Sequence, residues 1–384
     1  MSCTEQQITS FVKARLAKGF SFQKIKSHAR EEYGYTLSHD RFWKIYTDFI
    51  SHLAGESVSP AEKTPASVPD VSEAARLKIE REYASKILDM ARSSLKVPKL
   101  KEARLAKTSD GETVHIDIGD LHHGQLINAG DGTPIYSSRI AKDRLISSYL
   151  PAIIEFVAAG RDVKDVFFNL LGDIIDGEIV WAGQHGAIDQ VTFFQLEDII
   201  PILWTMIVTI AHQFPSLRAV NVRAIPGNHG RMSPKDKTIG QAKVNNWDNV
   251  VYHTLAFAAS VYNKERKGKG VPILVDYATL EPLNYEAGGI RMHLRHYNPD
   301  GANAPSKKAY FAQQYLIHAY DMVHQGHWHK CEVHEFSGLT IIQNGALSER
   351  SEYAEKLGLT ALPSQMLLAT RPERPVSRLT RVDF

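Results

Sequence analysis

Aspartate, asparagine and histidine recur in this sequence at short fixed spacings, and these side chains can hold divalent cations or move protons. They stand in five places: Gly119-Asp120-Leu121-His122-His123-Gly124, Gly172-Asp173-Ile174-Ile175-Asp176, Gly227-Asn228-His229-Gly230, His296, and Gly326-His327-Trp328-His329. Each alone has a bland reading, because an Asp after glycine commonly shapes a turn and a His-x-His pair commonly lies on a surface or in a core. Each follows an apolar run, however, so together they predict one cluster on loops at the carboxyl edge of a sheet, where α/β proteins build their sites. An Asp and a His two residues apart at a strand end project to the same side and can share one ion.

Strands must carry these segments. The runs Val114 to Gly119, Val166 to Leu171 and Ala219 to Ile225 alternate with long helical stretches, which predicts βαβ units. Further strands are expected at Val271 to Tyr277, Ile290 to His296, Met322 to Gln325, Cys331 to Phe336 and Leu339 to Asn344, with few helices between them. The expected fold class is α/β, a two-sheet body flanked by helices over residues 108–384. Alternation puts Ile290, Met292 and Leu294 on one face and His293 on the other. His296, last before the loop, is the expected site histidine, with His293 as the alternative. His115, His123, His185 and His324 are expected in structural roles. The apolar stretch Ile199 to Ala211, interrupted by Pro201, is shorter than the ~18 residues of a membrane span and predicts a buried helix.

The composition, 43% hydrophobic and 23% charged over 384 residues, excludes a disordered or fibrous chain and suffices for two or three domains. Two cysteines, Cys3 and Cys331, exclude a disulfide framework and a cysteine-built zinc site. Apolar residues at helical spacing predict a trihelical unit over residues 1–53: Ile8, Phe11, Val12 and Leu16; Phe22, Ile25, Ala29 and Tyr33; Phe42, Ile45, Tyr46 and Phe49. Its Gly34-Tyr35-Thr36 turn resembles that of a helix-turn-helix, in which Arg41 and Lys44 would face a major groove. A domain for assembly into a homo-oligomer such as a dimer is the alternative. Residues 54–70, with three prolines, read as a flexible linker, and residues 71–107, with ten Lys/Arg against five Asp/Glu, as a basic connecting helix. Residues 1–107 carry 19 Lys/Arg against 13 Asp/Glu and the remainder 26 against 30, so the net charge of +2 divides into +6 and −4. A basic front on an acidic body suits a polyanionic partner. Met1 to Ser10 lack the apolar core of a secretory signal, so a cytoplasmic protein without membrane association is expected.

The order Asp-x-His, Gly-Asp-x-x-Asp, Gly-Asn-His, His, Gly-His-x-His resembles the signature of calcineurin-like metallophosphoesterases, over roughly Val114 to Asn344. The resemblance implies that Asp120, His122, Asp173 and His329 bind one metal ion and that Asp173, Asn228, His296 and His327 bind a second, Asp173 bridging the two. Donors of oxygen and nitrogen without thiolate suit manganese, iron, zinc or magnesium and disfavour copper(I); manganese is the expected metal. The resemblance assigns His229 as the catalytic histidine, with Asp176 as its orienting partner or else as a helix or turn cap. Arg231 is a candidate for a substrate phosphate. In two respects the chain departs from the signature: Gly230 stands where the family has an acidic residue, and Tyr297 follows His296 where the family has glycine.

A binuclear phosphoesterase centre, as the resemblance implies, fixes the bond type and leaves the substrate open. The Asp-Leu-His-x-Gly form of the first motif is similar to that of SbcD-like DNA repair nucleases, and Pro-Gly-Asn-His-Gly-Arg at 226–231 resembles phage-encoded exonucleases. A DNA nuclease, exonuclease or endonuclease, is therefore the leading expectation. The alternatives are a phosphodiesterase or phosphatase acting on small nucleotides or phosphoproteins, with the front unit serving assembly, and a degenerate metal scaffold without catalysis.

Overall fold

A computed structural model describes residues 5–16, 25, 29, 45, 111–180, 183–233, 244–296, 320–336, 338–349, 362–372 and 374–384. At the front, α1 (Glu5–Leu16) is present, with Phe11 and Val12 buried, as are the helical residues Ile25, Ala29 and Ile45. The expected trihelical unit otherwise lies outside the described residues, as do the linker and the basic helix.

The body is a mixed α/β sandwich of two sheets. The larger runs in the order β13 (Arg374–Asp383), β12 (Ser364–Arg371), β1 (Thr113–Ile118), β4 (Asp165–Leu170), β5 (Ala219–Ala224), β6 (Ile273–Tyr277). Its pairs from β1 to β6 are parallel, and β12 and β13 join antiparallel. The second sheet runs β10 (Glu332–Phe336), β11 (Leu339–Gln343), β9 (Met322–Gln325), β8 (Ile290–Arg295), β7 (Leu283–Ala287). A short ribbon, β2 (Ile127–Asn128) with β3 (Pro134–Tyr136), closes the loop after the first motif. Helices α2 (Ser138–Asp143) and α3 (Leu150–Ala158), joined by a π-helical segment at Arg144–Tyr149, together with α4 (Thr192–Gln213) and α5 (Trp247–Glu265), complete the described body.

Alternation along the strands sorts the side chains into two cores. Val114, Ile116 and Ile118, with Val166, Phe168, Leu170, Val220 and Val222, pack against the helices. Phe167, Met366 and Leu368 face Met292, Met322 and Ile342 of the second sheet. A central sheet covered on both faces explains why its strands read as nearly continuous apolar runs. The exceptions, His115 and Asp117 of β1, point into the space between the sheets and are partnered there, as buried polar groups must be. His324 of β9 places Nδ1 2.8 Å from Asp117 Oδ2, Asn169 donates to Asp117 Oδ1 (2.8 Å), and His115 Nε2 lies 3.2 Å from Thr370 Oγ1.

Helix α4 runs through Pro201 and reaches 22 residues, longer than its apolar stretch implied, because Thr192 to Asp198 extend it at the front. By length and composition it could cross a membrane, but 72% of its apolar window is buried inside the protein.

Candidate metal centre

The five segments meet at the carboxyl ends of β1, β4, β5, β8 and β9. Asp120, His122, Asp173, Asn228 and His229 come from the larger sheet and His296, His327 and His329 from the second, so the site lies where the two sheets open. Three groups place their donor atoms within 4.8 Å of one another: Asp120, His122 and His329; His122, Asp173 and His229; Asp173, His296 and His327. His122 Nε2 stands 3.0 Å from His329 Nε2, and His296 Nε2 stands 3.0 Å from Asp173 Oδ2 and 3.2 Å from Asn228 Oδ1.

The backbone is bent to achieve this. Seven non-glycine residues among those described have positive φ, and five of them are Asp120, His122, Asp173, His327 and His329, with φ between 45° and 77°. Such conformations cost of order 1–3 kcal/mol each and persist where surrounding structure enforces them, characteristically at functional sites. Close approach of the loops adds to the constraint. A Cβ at Gly172 would lie 2.5 Å from Gly227 N and 2.8 Å from His296 Nδ1, so no other residue fits between the Asp173 and Asn228 loops.

Four of the donors are aimed by a neighbour. The His327 N–H donates to both oxygens of Asp120 (3.0 and 2.8 Å), and the His229 N–H donates to Asp173 Oδ1 (2.7 Å). His296 Nδ1 meets the Leu171 carbonyl at 2.6 Å, which makes Nδ1 a donor and turns Nε2 toward Asp173 and Asn228. His122 Nδ1 lies 3.2 Å from Asp176 Oδ1, freeing its Nε2 in the same way.

Burial works against every charge here, and the pattern of protonation shows what overcomes it. On Asp173 the facing His296 and His229 outweigh burial and hold its carboxyl well below the ordinary range; Asp120, beside His329, and Asp176, beside His122 and His229, are lowered too. Burial is again overcome at His296, where the Asp173 carboxylate lifts the pKa to about 10, and at His229, raised by Asp173 and Asp176. His327 falls to about 3 through burial and the charge on His296, and His122 is lowered by burial and His229, so both offer neutral rings. Three converging carboxylates thus draw positive charge toward the neutral rings of His122 and His327. That donor set and that field fit divalent cations.

The remaining expectations also find their places. His229 Nδ1 is 2.7 Å from Asp176 Oδ1, and half-buried His229 faces the cluster with Nε2 4.0 Å from Asp173 Oδ2. Of the two histidines left open in β8, His296 enters the cluster; His293 points away, 2.7 Å from Asn284 and stacked on Tyr320. Arg231 is half-buried and its backbone bridges to Asn246; no contact of its guanidinium with the cluster occurs among the described residues. His123 is buried against Asp198 and His185 is exposed. Glu281, whose Oε2 accepts from the His296 N–H (2.6 Å), and Asp248, buried under two of the ligand loops, escape sequence reasoning. At the start of α5, Asn246 and Asp248 carry only the signal of a helix N-terminus.

No family model matches the chain, and no curated protein does. Among solved structures, zinc-complexed Vps29 from Entamoeba histolytica is similar at 15% identity over 70% of this chain and 98% of its own, with a TM-score of 0.27. A novel archaeal phosphodiesterase is similar at 12% over 71% and 99%, with a TM-score of 0.32. A predicted phosphoesterase from Streptococcus pneumoniae is similar at 10% over 71% and 98%, with a TM-score of 0.28. Likeness at these TM-scores bears on neither family nor activity, and the centre stands on its own geometry.

Proposed function

We propose that this protein is a two-metal phosphoesterase that hydrolyses phosphodiester bonds, with DNA as its substrate. The reading is carried by the convergence of seven donors from both sheets, five of them in left-handed backbone conformations, around a charge deficit suited to cations. In this reading Asp120, His122, Asp173 and His329 would hold one ion and Asp173, Asn228, His296 and His327 the other. A pair of divalent ions supplies Lewis acidity, neutralising charge on the phosphoryl oxygens and acidifying the attacking water. The chain's own contribution is positional. Asp176 fixes His229 through Nδ1 and stabilises its protonated form, leaving Nε2 to carry a proton for the departing oxygen. Arg231, on the same loop, is proposed to meet a flanking phosphate.

DNA is supported by the +6 charge of residues 1–107 and by the form of the first and third motifs. A second reading, a phosphodiesterase or phosphatase for small nucleotides or phosphoproteins, is favoured by the −4 charge of the residues that follow, which would repel a polyanion. An activity panel with manganese decides between them, comparing labelled linear duplex, single-stranded DNA and a chromogenic phosphodiester. Preference for either DNA supports the nuclease, and the products distinguish exonuclease from endonuclease. Preference for the small diester over both DNAs supports the second reading, with the front unit then serving assembly.

A further inference from the structure

The metal-ligand loops of β4 and β5 are held from below by one carboxylate. Asp248, fully buried in the first turn of α5, accepts from the N–H groups of Ile174 and Ile175 at Oδ1 (3.2 and 3.3 Å) and from the Gly227 N–H at Oδ2 (2.9 Å). Ile174 follows Asp173, and Gly227 precedes Asn228. One side chain therefore ties the backbone beside the shared ligand of both ions to the backbone beside a ligand of the second. Asn246, capping the same helix, donates from Nδ2 to the Gly227 carbonyl (2.7 Å) and accepts from the Asp248 N–H (2.9 Å), and the Trp247 N–H donates to the Gly230 carbonyl (2.7 Å).

This grip occupies a particular space. A Cβ built at Gly230 would lie 2.5 Å from Asn246 Oδ1 and 3.3 Å from Asp248 Oδ1, so the start of α5 fills the room that a side chain at position 230 would need.

We propose that Asp248 is a positioning residue of the metal centre, a carboxylate supplied by α5 that locks the Asp173 and Asn228 loops against each other. The inference rests on the two-metal reading of the site. Asp248 touches no donor atom and no substrate, and acts through the backbone of the two loops. Burial, with the nearby Asp173 charge, pushes its pKa up to about 7, and its three N–H donors pull the other way. A carboxylate with no solvent to stabilise it remains useful there because those donors need an acceptor.

The test is a manganese titration of the chelator-stripped full chain, followed by metal analysis and by electron paramagnetic resonance, which separates a coupled ion pair from isolated ions. Asp248→Ala removes the acceptor of all three N–H groups, and Asp248→Asn can keep the bonds at Oδ1 while presenting an amide to the Gly227 N–H. The expected result is second-ion affinity at least ~10-fold weaker in Asp248→Ala, with a smaller loss in Asp248→Asn, and an isolated-ion spectrum at manganese levels that give the wild type its pair signal. Glu112→Gln is the control. It weakens the bonds that Arg371 and Arg378 make to buried Glu112 at the far end of β1, and is expected to lower the melting temperature and leave the titration unchanged. If Asp248→Ala fails to fold, Asp248→Asn carries the test alone. Wild-type affinity and pair signal in the Asp248 variants that fold overturn the inference while leaving the two-metal reading standing. A wild type that binds no pair of ions defeats that reading and this inference with it.

Discussion

His229 and Asp173 lie 4.0 Å apart, yet their removal should have different consequences. Asp173 faces His296 and is joined to both triads of donors that extend from it, so Asp173→Ala is expected to lose metal occupancy first and activity as a result. His229→Ala should keep near two ions per chain while turnover falls about 10²–10⁴-fold, the contribution of a positioned proton donor. Metal analysis beside single-turnover rates checks the pair, and identical behaviour of the two variants would mean that the roles are misassigned. The pH profile tests the partner. Because Asp176 and Asp173 raise the pKa of His229, its protonated form persists to higher pH than a free imidazole and is lost only above the raised value. Asp176→Asn removes part of that support, so the alkaline limb of the rate profile should move to lower pH. An unmoved limb would separate Asp176 from the chemistry. Removal of metal by chelator should abolish hydrolysis, with manganese restoring it best, measured as recovered initial rate.

At the scale of elements, the strands that deliver the donors are also the ones that tie the sheets together. Asp117 of β1 and His324 of β9 meet three residues upstream of Asp120 and His327 respectively, and Asn169 of β4 joins them. Asp117→Ala would leave the Asn169 amide and the His324 ring without their acceptor in a sealed interior, a loss of about 3 kcal/mol at 1–3 kcal/mol for each stranded group, readable by denaturant unfolding. A change under about 0.5 kcal/mol would show that the network relaxes, as an ordinary surface substitution does. The strands bearing site residues were legible because each couples an apolar run to a polar end: β1, β4, β5, β8 and β9 fall within a residue or two of expectation. Alternation in β8 also favoured His296 over His293. Of the strands that escaped notice, β12 has a buried apolar run of its own, whereas β13 and β7 lack this contrast. β13 scatters Arg374, Arg378 and Arg381 among small, polar and apolar residues without alternation, and one side of it is an exposed sheet edge, where charged side chains discourage pairing with other chains. β7 begins in a polar loop and buries only Ala287 fully. Asp248 was invisible for another reason, since an acid in the first turn of a helix is ordinary in sequence and its second task exists only once two distant loops are folded beneath it.

For the molecule as a whole, the uneven charge is the property open to a direct test. Removing residues 1–107 takes away a +6 segment and leaves a chain of −4, with every donor of the centre retained. Hydrolysis of a small phosphodiester should survive the truncation and DNA affinity should fall. The slope of log affinity against log salt should drop by about 0.9 for each duplex phosphate that the front no longer neutralises. Equal affinity and slope in both forms would discard the front as a DNA-binding unit, and a change of sedimentation mass would make it an assembly unit instead. The order of the strands also sets a timetable. Chains fold as they leave the ribosome, amino end first, and Thr113 at the start of β1 must wait for Thr370 in β12 before its sheet is closed. When β5 has emerged, Asp120, Asp173 and Asn228 exist but His296, His327 and His329 have not been made. A half-synthesised chain therefore holds only part of the donor set, and the centre is completed in a single late event, when the second sheet is laid against the first.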